Sequence, residues 1–137
     1  MIRIASIWER GWNTPIKEAD LWVMVAREFG IEKFLMTPVS GIDNIYVEEF
    51  KSMEDAIAAY PDLTIVFVDE KADDNLDEFI HPENALYIFG SVSVEAFNLY
   101  DENKHKAIKL TTPCNTALLW GHQIAALVLY DRFKKQI

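Results

Sequence analysis

At 137 residues, half of them hydrophobic, the chain has the length of one domain, most often roughly 100–150 residues, and can bury a core without covalent staples. Its single cysteine, Cys114, excludes an intramolecular disulfide, and no apolar run is long enough to span a bilayer; with no signal-like N-terminus, a reducing, cytoplasmic setting is expected. Thirteen basic against twenty-two acidic residues give a formal charge of −9, the wrong sign for holding nucleic acid by phosphate neutralisation alone, so an RNA partner requires a local basic patch or a helper.

Ile2 to Trp8 alternates as a strand, and Gly11, Asn13 and Pro15 break it. A helix follows, with Thr14 as N-cap and Pro15 at its first position. Ile16, Ala19, Val23 and Ala26 recur at helical spacing, and Gly30 stands where a C-terminal glycine belongs. Lys33–Met36 is the second strand, ended by Pro38. Val39 to Phe50 is less regular, with a short extended piece around Ile45–Val47. Ser52 and Asp55 form a capping-box variant that opens a short helix through Tyr60, stopped by Pro61.

Leu63–Val68 is apolar on both faces, as a parallel strand covered by helices should be. It ends in Asp69. The ten residues from Asp69 to Glu78 include six carboxylates (Asp69, Glu70, Asp73, Asp74, Asp77 and Glu78), a density that admits a metal site but more commonly marks a solvated loop or helix start. His81–Asn84 is a turn, Ala85–Phe89 the next strand and His105–Leu110 the last. A closing helix is expected from Asn115 or Thr116 to Lys135, apolar almost all round from Ala117 to Tyr130 and therefore largely buried. Strands alternating with helices in this way specify one three-layer α/β domain with a mainly parallel sheet, because parallel pairs need crossovers. The turns Phe89-Gly90-Ser91 and Leu110–Asn115 each follow such a strand, where α/β proteins place ligands.

Two phrases go further. The stretch SMEDAIAAYPDLTIVFVDEKADDNLDEFIHPENALYIFGS, from Ser52 to Ser91, and IKLTTPCNTALLWGHQIAALVLYDRF, from Ile108 to Phe133, resemble the SpoU (TrmH-like) branch of the SPOUT RNA methyltransferases. The first matches that family's helix, buried strand, acidic loop and FGS segment; the second matches its last strand, proline-bearing cofactor loop and final helix. Ala26-Arg27-Glu28-Phe29-Gly30-Ile31 falls like the family's phrase after the first helix. The resemblance implies a C-terminal trefoil knot, a homodimer paired through the closing helix with Trp22 or Trp120 among the contacts, S-adenosylmethionine as cofactor, and methylation of a tRNA or rRNA ribose 2′-hydroxyl. It further implies that main-chain groups of Phe89, Gly90, Ser91, Thr111, Thr112, Pro113 and Cys114 hold adenosine, with Val68, Ile88, Leu110 and Leu118 as an apolar wall.

The side chains depart from the family's catalytic set. Val92 stands where its glutamate would be, Trp120 at its asparagine, His122 at its serine and Met24 at its first-helix arginine, with Arg27 one turn on. Arg27, Asn115 and His122 are the remaining catalytic candidates, and a shifted register offers Asn115 or Glu95. Each singled-out residue also has a bland reading: His122 as a core or interface histidine, Cys114 as a buried inert thiol, and Trp8, Trp12, Trp22 and Trp120 as core or interface rings. Three functions stand open: an active methyltransferase, a catalytically inactive SPOUT-fold binding or dimerisation protein, and a receiver-like α/β domain with Asp69 at a strand end.

Overall fold

The computed structural model describes residues 1–9, 14–91 and 95–136, so Gly11, Trp12, Asn13 and Val92 lie outside the described residues. Among the described residues, seven strands form one sheet: β1 (Ile2–Ile7), β2 (Phe34–Thr37), β3 (Val47–Glu49), β4 (Thr64–Val68), β5 (Asp74–Asn75), β6 (Ala85–Phe89) and β7 (Lys106–Lys109). Every pairing is parallel, and the order is β3-β2-β1-β6-β4-β7-β5. The α-helices among the described residues, α1 (Pro15–Glu28), α2 (Met53–Ala58) and α3 (Gly121–Lys135), cover its faces.

Local chemistry sets the helix ends. Thr14 accepts the Lys17 N–H on its side chain and Ser52 accepts that of Asp55, so both helices begin on capped donors. Gly30, at φ +71°, turns the chain after α1 and lets the Ile31 N–H return to the Ala26 carbonyl at 2.8 Å. Alternation along the strands then sorts the core. Ile4, Phe34, Met36, Val66, Tyr87, Phe89 and Ile108 pack beneath α1 and α3, while Ala5, Leu35, Ile65, Phe67, Leu86 and Ile88 face the α2 side.

The strand order sets the receiver reading aside. Without the short edge strands β3 and β5, the remaining five run second, first, fourth, third, fifth, because β6 inserts between β1 and β4. A receiver runs 2-1-3-4-5.

Two expectations about the closing helix are corrected. It begins at Gly121, not at Asn115 or Thr116, because both of those residues take left-handed φ values (+50° and +62°) that a helix cannot propagate through. Nor is it largely buried. Ala125, Val128, Leu129 and Arg132 form one stripe against the molecule, whereas Leu127, Tyr130 and Phe133 face outward. The acidic stretch after β4 is anchored by apolar residues, with Leu76 and Phe79 buried around a 3-10 turn.

A polar clamp ties the C-terminal half of α3 to the segment leading into β6. Arg132, which is buried, donates to the carbonyls of Pro82 and Glu83 and to the Tyr87 hydroxyl. With that oxygen accepting from Arg132, the Tyr87 O–H points at His81 Nδ1, 2.7 Å away, so Nε2 carries the imidazole proton and donates to Asp131 at 2.8 Å. Lys135 closes the set on Asp131 and on the carbonyls of Leu76 and Phe79.

Burial lowers the His81 pKa in spite of Asp131, because a second proton would be desolvated and would leave the Tyr87 O–H without its acceptor. The unfolded chain therefore binds a proton below about pH 6.5 that the folded chain refuses. Stability should fall as pH drops below that value, and thermal melts between pH 7.5 and 5 should show the fall flattened in His81→Asn. Arg132→Ala, which takes the donor from the buried Tyr87 hydroxyl and from two part-buried carbonyls, should cost on the order of 1–3 kcal/mol in denaturant titration.

Candidate functional site

In a parallel α/β sheet the strand C-termini all open on one edge. Here the loops after β4, β6 and β7 meet there with the start of α3 around a cleft of about 440 Å³, within the roughly 300–1,000 Å³ of small-molecule sites. Val68, Phe89, Leu110, Leu119 and Ile124 give it apolar walls, while Asp69, Glu70, Lys71 and Glu95 stand along it. Gly90, Ser91, Asn115, Thr116, Ala117 and Gly121 complete the lining with small or backbone-rich positions. A second cavity of about 190 Å³ adjoins across Gly90, Ser91 and Gly121, and is bounded by Ser6, Glu9, Glu18, Trp22 and Trp120.

The partition between the cavities depends on Trp22. Its indole is 1 % exposed, stacks on Phe34 with centroids 5.1 Å apart, tilts against Phe89 at 5.4 Å, and donates Nε1–H to Glu18 at 3.0 Å. The first residue of α3 lies against it: a Cβ added to Gly121 would stand 2.8 Å from Trp22 Cζ2 and 3.7 Å from the Gly90 carbonyl oxygen. Glycine is therefore what lets α3 start next to the β6 loop. Ser91, from that loop, donates to Glu9 at 2.8 Å and links the ends of β1 and β6.

The residues singled out in the sequence divide. Val68, Phe89, Gly90, Ser91, Leu110 and Asn115 line the cleft together. Ile88 does not, because strand alternation that aims Phe89 at the α1–α3 side aims Ile88 at the opposite core. Leu118 is 81 % exposed, since residues 114–119 form turns where a helix was expected. Thr111 donates to Asn75, Thr112 accepts the Thr116 N–H, and Pro113 and Cys114 are exposed, so the thiol expected to be buried is at the surface.

Arg27 sits at the C-terminal end of α1, remote from the strand C-termini, with its guanidinium 4.5 Å from the Tyr46 ring centroid. His122 packs edge-on between Trp22 and Trp120, at 6.5 and 5.9 Å, and borders a surface hollow with Lys17, Asp20 and Met24. Its burial lowers its pKa against the opposing pull of Glu18. Trp8 packs on the core with its indole N–H buried, and Trp120 is 52 % exposed. Sequence reading did not single out Leu119, Gly121 and Ile124 as lining residues. Only the displaced helix start places them there.

Among solved structures, this chain is similar to a candidate RNA methyltransferase from Bacillus anthracis at 12 % identity and a TM-score of 0.74, over 99 % of this chain and 94 % of that one. The fold is that of the SpoU-type methyltransferases. The TrmH/SpoU tRNA-modifying enzyme of A. aeolicus aligns at 11 % identity and TM-score 0.72, over 95 % of this chain and 72 % of that one. The AdoMet-bound rRNA methyltransferase of Sinorhizobium meliloti aligns at 8 % and 0.70, over 99 % and 56 %. No family model and no curated protein sequence matches the chain.

Gly121→Ala should drive a methyl group into the Trp22 ring and destabilise the protein by about 1–3 kcal/mol. Combining it with Trp22→Phe should recover part of the loss, and the shift in denaturant midpoint across the double-mutant cycle reads the coupling.

Proposed function

We propose that the chain is a SpoU-type S-adenosylmethionine-dependent methyltransferase-class protein, with RNA, at a tRNA or rRNA ribose 2′-hydroxyl, as acceptor. The observation that carries this reading is the cleft itself: in a fold shared with methyltransferases, it opens where the loops after β4, β6 and β7 converge on the start of α3.

The residues present fit such a cofactor. Val68, Phe89, Leu110 and Ile124 offer apolar surface to an adenine, and the Gly90 turn brings backbone close to it. Three carboxylates (Asp69, Glu70 and Glu95) against one ammonium (Lys71) give the described lining a net negative charge, suited to a cation. When bound, the cofactor supplies an electrophilic methyl group on a positively charged sulfur. The chain's part is to orient the acceptor, exclude water and receive a proton. Asn115, which lines the cleft, can orient a hydroxyl by hydrogen bonding. His122, held neutral by burial, has a lone pair that accepts a proton, but it borders the outer hollow and not this cleft.

A second reading, a catalytically inactive SPOUT-fold module for binding or dimerisation, draws its support from that separation and from Arg27 being engaged with Tyr46 at the other end of α1. Titration calorimetry with S-adenosylmethionine should show binding. Ala117→Trp, at an exposed position on the cleft, should weaken it at least about tenfold with the melting temperature unchanged. Radiolabelled methyl transfer to bulk tRNA and rRNA separates the readings. Cofactor binding without transfer favours the inactive module, and no binding at all refutes the methyltransferase reading.

The same reading includes a homodimer. Trp22 is consumed by the protomer's own core, whereas Trp120, Leu127 and Tyr130 present apolar surface at helical spacing, and these are the proposed contacts. Light scattering should give twice the chain mass, and Leu127→Glu should halve it. The reading also includes the trefoil crossing of the loops after β6 and β7, which a crystallographic trace through residues 89–121 would decide. No helix among the described residues is long and apolar enough to cross a membrane, and the lone cysteine is suited to a reducing cytoplasm.

A further inference from the structure

Lys71 is the only cation among the described residues lining the cleft, and it faces Glu95 across it. The two come from different loops, Lys71 from the turn after β4 and Glu95 from the segment after β6, and their side chains meet at 2.6 Å. The Lys71 backbone is fixed by an Asx turn in which its N–H donates to Asp69 Oδ1 at 2.9 Å. The side chains themselves are 59 % and 41 % exposed, so the ion pair is hydrated and contributes little to stability. Such a pair bridges two walls of a cavity at small cost and opens at small cost.

We propose that Lys71 and Glu95 form the recognition pair for the amino-acid end of the cleft's ligand, Lys71 taking its carboxylate and Glu95 its ammonium group; this rests on the cofactor reading above. The chemistry is an exchange of partners. An α-amino-acid zwitterion carries one charge of each sign on a single carbon, so it replaces the internal pair with every charge still matched and no net charge brought into the cleft. The new contacts are charge-assisted hydrogen bonds shielded by the bound ligand, whereas the old one stands in water. The pKa of Lys71 is raised, first by the hydrogen bond and charge of Glu95 and to a lesser degree by Asp69 and Glu70, which remain beside it when Glu95 turns to a ligand. A nucleoside lacking the amino-acid end leaves the pair closed and gains nothing from it.

Calorimetry on the full chain with S-adenosylhomocysteine and with 5′-methylthioadenosine, which share the adenosine but not the amino-acid end, tests this directly. The wild type should bind the former about tenfold or more tightly than the latter. Lys71→Gln should remove most of that preference while leaving 5′-methylthioadenosine affinity within about twofold, and Glu95→Gln should do the same to a smaller extent. Both positions are exposed, so melting temperatures should hold in each variant. Binding of both nucleosides with no preference, or a preference that neither substitution changes, overturns the assignment while leaving the cofactor reading intact. Failure of both to bind the wild type overturns the two together.

Discussion

The packing of Trp22 is the constraint on which the arrangement of this protein depends. One indole joins α1 to β2 through Phe34, to β6 through Phe89 and to the first residue of α3. Its ring occupies the space that a side chain at position 121 would need, so the last helix starts at glycine and lies directly over the β6 loop. Both cavities at the sheet's C-terminal edge owe their shape to that close approach. If the helix began one residue earlier or its first residue carried a Cβ, the wall shared by Gly90 and Gly121 would have to move.

Much of the scaffold was legible from residue pattern because local and global preferences agree. The caps at Thr14 and Ser52, the apolar run through Val66 and the glycine at position 30 each specify one conformation and receive it. The start of α3 was not legible, since Ala117 to Trp120 reads as helix by composition while Asn115 and Thr116 adopt left-handed backbone that no propensity announces. The same error moved the site: Leu118 was expected on the cleft, and Leu119 and Ile124 are there. Strand order was equally hidden, because pairing of β6 between β1 and β4 is a long-range choice that periodicity does not record.

The chemistry follows the backbone more closely than the side chains. Small residues at the strand ends and the start of α3, Gly90, Ser91 and Gly121 among them, are enough to make a cleft in this fold. Around them, among the described residues, stand carboxylates and one ammonium, beside a cavity walled by tryptophan. A lining of this charge, in a chain of net charge −9, suits a small cation better than a phosphate backbone.

The clamp around Arg132 lies at the other end of α3 from the cleft. Among the described residues, apart from Gln123 accepting the N–H of the cap residue Trp120, the side-chain hydrogen bonds from this helix to the rest of the molecule come from Asp131, Arg132 and Lys135, in its last two turns. Its opening turn rests on the Trp22 ring by apolar contact, which resists separation but has no preferred direction. The helix is thus a lever with its fulcrum far from the cleft. A small tilt about Arg132 widens the cleft most at Gly121 and least where the polar contacts would have to break.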